Sequence, residues 1–374
     1  MIVTIKFLIF SLAIISLAVA IIGFVLLKIR SQLQNSYSTL FAAKNKGAVE
    51  ELEPVDINGT KQWIHVRGRN KNNPLLLFLH GGPGWSNIGW YDAIQRPWEN
   101  HFTVVQWDQR QAGKSYAPNL AETISHQQYI SDTEAIISYL RDKFQQDKIF
   151  IMGTSYGTYL GMQMAKRHPD WLYAYIGIGQ VVTMKEHPVE EYRLLLEHAH
   201  ATDNQSLIAT LNRLAPFPDP SVPEKSYIEN VVALTDLESE IEKAYPASLS
   251  SILKANTHLQ WLSPLYTLKD HYHRKFGENP AGINPKNAFY YDFFKYDLPK
   301  EVGSDFDVPI FFFTGRHDFH VAYTLTDRWF RKIEAPYKEQ VWFEQSAHAA
   351  HLTEPYEFSK ALIEKVLLRV NMYS

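Results

Sequence analysis

The stretch that decides the fold covers residues 148–157 and reads Lys-Ile-Phe-Ile-Met-Gly-Thr-Ser-Tyr-Gly. Its apolar half predicts a buried strand, and the pattern after it predicts a helix to about His168. The other half has the form G-x-S-x-G, with Gly153 and Gly157 on either side of Ser155. A turn this tight leaves no room for side chains at the glycine positions, and it lifts the serine hydroxyl above the sheet. We therefore predict that Ser155 is presented as a nucleophile, in preference to an ordinary turn with a capping serine.

Strand and helix patterns alternate on both sides of this stretch. Near-continuous apolar strands separated by helices are typical of a mostly parallel sheet covered by helices on both faces, so we predict an α/β fold. Strands are predicted at residues 63–66, 75–79, 102–107, 148–152, 172–178, 308–313 and 340–343, and helices at 127–144, 322–333 and 355–370.

The alternation stops between residues 182 and 303, which are helical in pattern and rich in aromatic residues. We predict that residues 182–303 form a helical cap inserted over the carboxyl edge of the sheet, where open α/β sheets bind their ligands. The core then has two parts, residues 51–181 and 304–374. The aromatic residues of the predicted cap include Tyr192, Trp261, Tyr266, Tyr272, Phe276 and a cluster at 289–294.

An uncharged, almost wholly apolar run extends from Phe7 to Leu27. As a helix it would be about 31 Å long, enough to cross the hydrocarbon core of a bilayer. We predict a single-pass membrane anchor over residues 1–30 and a linker over residues 31–50. A cleaved signal peptide is the alternative, because Ala18-Val19-Ala20 resembles a cleavage site, but the apolar run continues past it. Basic residues flank the run on both sides, so the side of the membrane that the remaining chain faces stays open.

The composition excludes several classes of protein. The 374 residues include 37 Lys and Arg against 40 Asp and Glu, a net charge of −3, whereas a nucleic-acid-binding protein needs a basic surplus to neutralise phosphates. Because the chain contains no cysteine, it has neither a disulfide framework nor a thiol nucleophile nor a thiolate zinc site.

The predicted nucleophile needs two helpers, because a serine is a weak nucleophile without a base and an acid that orients the base. In chains with this turn they follow the serine in the order Asp, His. The loop after the 308–313 strand contains Asp318, and the loop after the 340–343 strand contains His348. We predict that Asp318 orients His348 and that His348 is the general base. The competing histidine, His351, lies further from the strand end and is expected to be a packing or loop residue.

An oxyanion hole is the remaining requirement, since two backbone N–H groups must face the developing alkoxide. We expect one from Tyr156, the residue after the nucleophile. The other is expected from Gly82, in the glycine-rich loop His80-Gly81-Gly82-Pro83-Gly84 that follows the 75–79 strand. Glycines there allow the backbone to approach a substrate closely.

We predict no metal site and no cofactor. Gly113-Lys114-Ser115 resembles the end of a phosphate-binding loop, but Asp108 occupies the position of the first glycine that such a loop requires. The histidines that could suggest a metal site lack a ligand spacing such as H-E-x-x-H. They are His198, His200, His271, His273, His317 and His320.

Five motifs carry a resemblance to a known family: His80 to Gly84, Asp108-Gln109-Arg110 with Gly113 and Ser115, Gly153 to Gly157, Gly315 to Asp318, and Ser346-Ala347-His348. From about residue 55 to the C-terminus the chain resembles the proline iminopeptidase (prolyl aminopeptidase) branch of the α/β-hydrolases. The resemblance implies an α/β-hydrolase fold and a serine peptidase that releases an N-terminal residue, typically proline. Ser155, Asp318 and His348 fall on the triad positions of that family, and Gly82 and Tyr156 on its oxyanion positions.

The resemblance also implies that carboxylates of the cap hold the ammonium group of the substrate, since a buried amine needs a paired anion. Glu186, Glu190 and Glu191 open the predicted cap and are the candidates, the alternative being that they form a solvated helix face. Asp108 and Arg110 are expected to form a structural ion pair below the site.

The sequence thus predicts a membrane-tethered serine aminopeptidase that forms an acyl-enzyme and acts on a peptide or small-molecule substrate. A carboxylester or lipid hydrolase is the alternative, because the same triad cleaves esters and the anchor would place it near lipids. A hydrolase-like binding protein without activity is the alternative outside catalysis. Haloalkane and epoxide chemistry is disfavoured, because it needs an aspartate at the position of Ser155.

Overall fold

The computed structural model describes residues 2–41, 46–117, 124–217, 230–231, 233–237, 260–276 and 295–372. The aromatic cluster predicted at 289–294 lies outside these described residues.

A single eight-stranded sheet forms the centre of the described chain, in the order β1-β2-β4-β3-β5-β6-β7-β8. The strands β1 and β2 form an antiparallel pair, β2 is antiparallel to β4, and all later neighbours are parallel. The predicted α/β fold with a mostly parallel sheet is therefore confirmed. The strands are β1 Val49–Ile57, β2 Thr60–Gly68, β3 Leu75–Leu79, β4 Thr103–Asp108, β5 Ile149–Thr154, β6 Leu172–Ile178, β7 Ile310–Gly315 and β8 Lys338–Phe343.

Helices cover both faces of the sheet. In β3, Leu75, Leu77 and Leu79 belong to one apolar core cluster, whereas Leu76 and Phe78 belong to a second cluster on the other face. This explains why the strand has no polar alternation, because both of its faces are buried. The helices are α1 Ile2–Phe41, α2 His126–Phe144, α3 Tyr156–Arg167, α4 His187–Ala201, α5 Gln205–Asn212, α6 Leu268–Phe276, α7 Leu298–Glu301, α8 Tyr323–Lys332, α9 Ala350–Thr353, α10 Pro355–Ala361 and α11 Leu368–Asn371, with a π-helical stretch at Leu362–Leu367.

The edge strand β1 was not among the strands predicted from apolar runs. It is rich in charged residues, and its carboxylates Glu51 and Glu53 form ion pairs with Lys143 of α2. Asn58 and Gly59, with φ of 46° and 76°, make the two-residue turn to β2. Positive φ at both positions is typical of the hairpin turn that Asn-Gly favours, so this turn rather than hydrophobicity marks the strand.

The N-terminal helix α1 contains a segment, Phe10–Ser36, that by length and composition is suited to crossing a membrane, and that segment is not buried against the described chain. The helix continues to Phe41, so the first part of the predicted linker is helical.

The described part of the predicted cap consists of α4 to α7 and the residues around them. One segment, residues 260–276, lies over the loops at the carboxyl ends of β3 and β4. Its Tyr266 is buried and packs against Gly89 and Gly113.

Candidate active site

Ser155 occupies a sharp turn between β5 and α3, with φ of 52° and ψ of −123°. A non-glycine residue held at positive φ stores backbone strain, which is typical of functional positions. The turn is fixed by its neighbours, because Ser155 N–H donates to the Ile178 carbonyl at 3.0 Å and the Ser155 carbonyl accepts from Thr158 N–H at 2.8 Å. The strand, tight turn and helix predicted from residues 148–157 are therefore present.

The glycines beside Ser155 allow the chain to pack at this turn. A Cβ at Gly157 would lie 2.1 Å from the carbonyl oxygen of Leu79, at the end of β3. A Cβ at Gly81 would lie 2.9 Å from Cβ of Ser155. The glycine-rich loop after β3 therefore lies directly against the serine, as an oxyanion loop must.

Asp318 and His348 meet at the ends of β7 and β8. His348 Nδ1 lies 3.2 Å from each carboxylate oxygen of Asp318. Both side chains are buried, and Asp318 also accepts from Val321 N–H at 3.2 Å. Burial alone would raise the pKa of Asp318, but the charge and hydrogen bond of His348 lower it below its ordinary value. Asp318 is therefore an anion suited to orienting the imidazole.

His348 and Ser155 border the same short segment at the end of β6. Ser155 N–H is bonded to Ile178, and the imidazole of His348 lies so close to Gly179 that a Cβ there would be 2.7 Å from its Nδ1 and Cε1. In the described residues no hydrogen bond joins the Ser155 hydroxyl to His348. The structure thus brings the three predicted side chains to one edge of the sheet, with the Asp–His hydrogen bond formed.

His351, the competing base, packs in the apolar core cluster around Phe78. Its Nε2 lies 2.6 Å from the Tyr91 hydroxyl. Burial, followed by the nearby charge of His348, lowers the pKa of His351 to about 3, so this ring is neutral. These contacts are those of a packing residue.

Two further histidines, for which the sequence predicts no catalytic role, lie near His348. The ring of His320 packs edge-on against that of His348, with centroids 4.6 Å apart. Burial, and then the charge of His320, lowers the pKa of His187 at the start of α4 to about 4. The sequence could have indicated His320, because it lies two residues after Asp318. It gives no such indication for His187, which belongs to the predicted cap and is distant from Asp318 and His348 in the sequence. In the described chain, no group of three His, Asp or Glu side chains is arranged to hold a metal ion.

The predicted oxyanion loop, His80 to Gly84, is held by Gln109 of the Asp108-Gln109-Arg110 motif. Gln109 N–H donates to His80 Nε2 at 3.1 Å, and its side chain donates to the His80 carbonyl at 3.0 Å. Since His80 Nε2 accepts, Nδ1 carries the proton and donates to the Gly81 carbonyl at 2.9 Å. Burial lowers the pKa of His80 to about 4, which keeps it in this neutral form.

The two predicted oxyanion donors lie next to Ser155. Gly82, with φ of 113°, follows Gly81 in the loop that contacts the serine. Its N–H makes no hydrogen bond among the described residues. Tyr156 begins α3, so its N–H is at a helix N-terminus, where backbone donors face outward. The local structure is compatible with both assignments.

The ion pair predicted between Asp108 and Arg110 is wrong. Arg110 instead binds Asp132 of α2 with two hydrogen bonds, 2.6 Å from Nε and 2.9 Å from Nη2. Asp108 Oδ2 accepts from Lys114 N–H at 2.9 Å and from the Tyr266 hydroxyl at 2.7 Å. Two parallel hydrogen bonds to Asp132 bind the guanidinium group more strongly than a single contact with Asp108 would. The closeness of Asp108 and Arg110 in the sequence gave no indication of this partner on α2.

The three predicted cap carboxylates lie in different environments. Glu186 is exposed and pairs with Arg328 at 3.1 Å. Glu190 accepts from Arg193 at 2.8 Å and from the Thr324 hydroxyl at 2.5 Å. Glu191 is fully buried within α4.

Comparison with known proteins gives concordant matches. A family model described as alpha/beta hydrolase fold matches residues 74–355. The Bacillus subtilis (strain 168) protein named "Probable aminopeptidase YbaC" is 30% identical over 331 residues, which are 85% of this chain and 96% of that protein. A "Probable proline iminopeptidase" of Leptolyngbya boryana is 33% identical over 101 residues, 27% of this chain and 30% of that protein.

Solved structures match over most of the chain. The crystal structure of a proline iminopeptidase-related protein from Thermus thermophilus superposes with a TM-score of 0.61 at 17% identity, covering 86% of this chain and 98% of that one. At that identity the match shows the fold alone. Together with the curated relatives, it confirms the resemblance that the five motifs indicate.

Proposed function

The chain belongs to the α/β-hydrolase fold family, and from that premise we propose that it is a serine aminopeptidase that releases N-terminal proline or another small residue from peptides. The observation that carries the proposal is the buried Asp318–His348 pair, which borders the strained Ser155 turn at Ile178 and Gly179. The name of the Bacillus subtilis relative supports the peptidase class.

In the proposed mechanism Ser155 Oγ attacks the carbonyl carbon of the scissile bond while His348 takes the hydroxyl proton. Asp318 keeps the Nδ1 proton of His348 in place and stabilises the imidazolium. The N–H groups of Gly82 and Tyr156 bind the oxyanion of the tetrahedral intermediate. His348 then gives its proton to the leaving amine. Water, deprotonated by His348, attacks the acyl-enzyme, and His348 then returns the proton to Ser155 Oγ as the acid product leaves.

The free ammonium of the substrate is proposed to be held by a carboxylate of the cap. Glu191 is the favoured residue, because it is fully buried, where water screens an ion pair least, whereas Glu186 is exposed and Glu190 is already paired with Arg193. We expect Glu191→Gln to raise KM for all substrates that have a free N-terminal amine and to leave the turnover of a p-nitrophenyl ester unchanged.

We also propose that α1 anchors the chain in a membrane as a single span. The uncharged run from Phe7 to Leu27 and the exposed apolar surface of Phe10–Ser36 support this. The alternative, a cleaved signal peptide, predicts a mature chain that begins near Ile21. Mass spectrometry of the protein from the membrane fraction distinguishes the two.

A carboxylester or lipid hydrolase is the second candidate, because α1 would hold the same triad close to lipids. The test is to purify the full chain in detergent, probe it with a fluorophosphonate, and compare Pro-aminomethylcoumarin with a p-nitrophenyl ester. We expect labelling that is abolished in Ser155→Ala but unchanged in Ser206→Ala, an exposed serine of α5, together with dominant prolyl release. Ester turnover without prolyl release would favour the second candidate, and absence of labelling would favour a binding protein.

A further inference from the structure

Two polar side chains just beyond the apolar run of α1 bind a turn of the cap. Arg30 donates from Nε to the Trp261 carbonyl at 3.1 Å and from Nη2 to the Tyr266 carbonyl at 2.9 Å. Gln34 donates to the Ser263 carbonyl at 2.7 Å. The Arg30 guanidinium also lies over the ring of Trp261, 5.1 Å from its centroid. Residues 260–262 are helical and residues 263–267 lie between them and α6, so Arg30 and Gln34 bind the end of one helix and the loop that follows it.

The position of this contact along α1 sets its depth in a bilayer. The uncharged run ends at Leu27. At about 1.5 Å per residue, Arg30 lies roughly 4.5 Å beyond that end and Gln34 roughly 10 Å beyond it. The head-group layer on each side of the hydrocarbon core is about 5–7 Å thick. When the apolar run spans the core, Arg30 therefore lies within the head-group layer and Gln34 just outside it, which places the cap turn that both residues bind in the outer part of that layer.

The side chains that this part of the cap exposes fit that environment. Trp261, Leu268 and Tyr272, here called the interfacial surface, are 46%, 44% and 61% exposed. Leu268 and Tyr272 are four residues apart and share one face of α6. The other face is bound to the protein, since Asp270 pairs with Lys114 at 2.8 Å. Trp and Tyr are the residues enriched at membrane interfaces.

We propose that the interfacial surface lies in the phospholipid head-group layer, so that the cap is bound to the bilayer by its own side chains as well as through α1. This inference rests on the proposed membrane insertion of α1. The lipid surface is favoured over a second copy of the chain as the occupant, because the apolar run of α1 leads directly to Arg30 and fixes the depth of the cap turn.

The lipid contact would be connected to the active site through Tyr266. Its carbonyl accepts from Arg30, while its hydroxyl donates to Asp108 Oδ2 at 2.7 Å and accepts from the Ser86 hydroxyl at 2.9 Å. Ser86 lies two residues after the glycine-rich loop that contacts Ser155. The lipid-bound turn of the cap and the oxyanion loop thus share one buried tyrosine.

The absence of native cysteine makes a direct test straightforward. Leu268→Cys and Tyr272→Cys in the full chain are each labelled with a nitroxide and reconstituted in vesicles of phosphatidylcholine. Asn72→Cys is the control, because this exposed residue precedes β3 at the opposite edge of the sheet. We expect the labels at 268 and 272 to collide more with oxygen than with a water-soluble nickel chelate, and the label at 72 to show the reverse.

Nickel accessibility at 268 and 272 equal to that at 72 would overturn the proposal. Spin–spin broadening between the labels at 272, with rapid disulfide formation in the unlabelled variant, would overturn it in favour of a second copy of the chain. Prolyl release measured on the same vesicles tests the proposed peptidase activity separately. The lipid contact and the activity are therefore tested independently of each other.

A pair of variants tests whether Arg30 holds the cap turn to α1. Arg30→Ala is expected to raise amide hydrogen exchange across residues 261–272 at least about tenfold, because the carbonyls at this turn lose their donors. Lys28→Ala, which removes a neighbouring charge that lies near Phe24, is expected to leave that exchange unchanged. Equal exchange in the two variants would contradict a role for Arg30 in holding the cap.

Discussion

Nδ1 of His348 lies at the same distance, 3.2 Å, from both carboxylate oxygens of Asp318, so that the imidazole is held symmetrically by a buried anion. Asp318→Asn keeps the size of the side chain but removes its charge. We expect kcat for prolyl release to fall by about 10³–10⁴, because an amide stabilises neither the correct tautomer nor the imidazolium. Asp307→Asn, at an exposed position before β7, is the control and should leave kcat unchanged. A loss below tenfold would contradict the orienting role.

Gly157→Ala tests the packing of the serine turn. Its Cβ would lie 2.1 Å from the Leu79 carbonyl oxygen, so β3 and α3 must move apart. We expect a loss of about 1–3 kcal/mol or more in the free energy of unfolding, together with loss of fluorophosphonate labelling. Gly303→Ala, with no atom within 4 Å of its Cβ, should cost only the strain of its positive φ and keep the labelling. The urea denaturation midpoint measures both, and equal effects would argue against the steric explanation.

Asp108 predicts a pH dependence of stability. Burial raises its pKa to about 7, although hydrogen bonds from Lys114 N–H and Tyr266 lower it in part. A raised pKa means that the folded state favours the protonated form, so this stabilisation is full below the ordinary value of 3.8 and is lost as the pH rises through about 7.

Asp108→Asn cannot ionise, so we expect its Tm to fall less than that of the wild type when the pH is raised from about 5 to about 9. Asp142→Asn, at an exposed position of α2, should follow the wild type. Thermal unfolding followed by circular dichroism at several pH values gives the comparison. Parallel curves for the wild type and Asp108→Asn would show that this carboxyl does not titrate in the range.

Tyr266→Phe removes the hydroxyl that joins the segment 260–276 to Asp108 and Ser86. Since both partners are buried, we expect the free energy of unfolding to fall by about 1–3 kcal/mol. Tyr356→Phe is the matched control, because Tyr356 is 75% exposed and its hydroxyl lies in water. Similar denaturation midpoints for the two variants would mean that the hydroxyl of Tyr266 is not a structural contact.

The sheet and the residues at its strand ends were predictable for a physical reason. The central parallel strands are buried on both faces, so they appear in the sequence as uninterrupted apolar runs such as Leu75–Leu79. Polar residues that directly follow such runs must lie at the carboxyl edge of the sheet. This is why Asp318 and His348 could be placed together although 30 residues separate them.

Features that depend on partners distant in sequence were not predictable. The partner of Arg110 is Asp132, on α2, and the partner of Asp108 is Tyr266, in the predicted cap. Neither pairing follows from periodicity or from a motif. The edge strand β1 was not predicted for a different reason. Its charged residues interrupt the apolar positions, so no apolar run marks the strand. Only Asn58-Gly59 marks its hairpin in the sequence.

The length of α1 has a mechanical consequence. The helix is continuous from Ile2 to Phe41, about 60 Å, and is attached to the cap at Arg30. Within a bilayer such a rod responds to hydrophobic thickness by changing its tilt. Arg30 lies nearer to the C-terminal end of the helix, so a change of tilt of the proposed membrane span would act on residues 261–266, which Arg30 binds, and membrane thickness would become a quantity to which that segment responds.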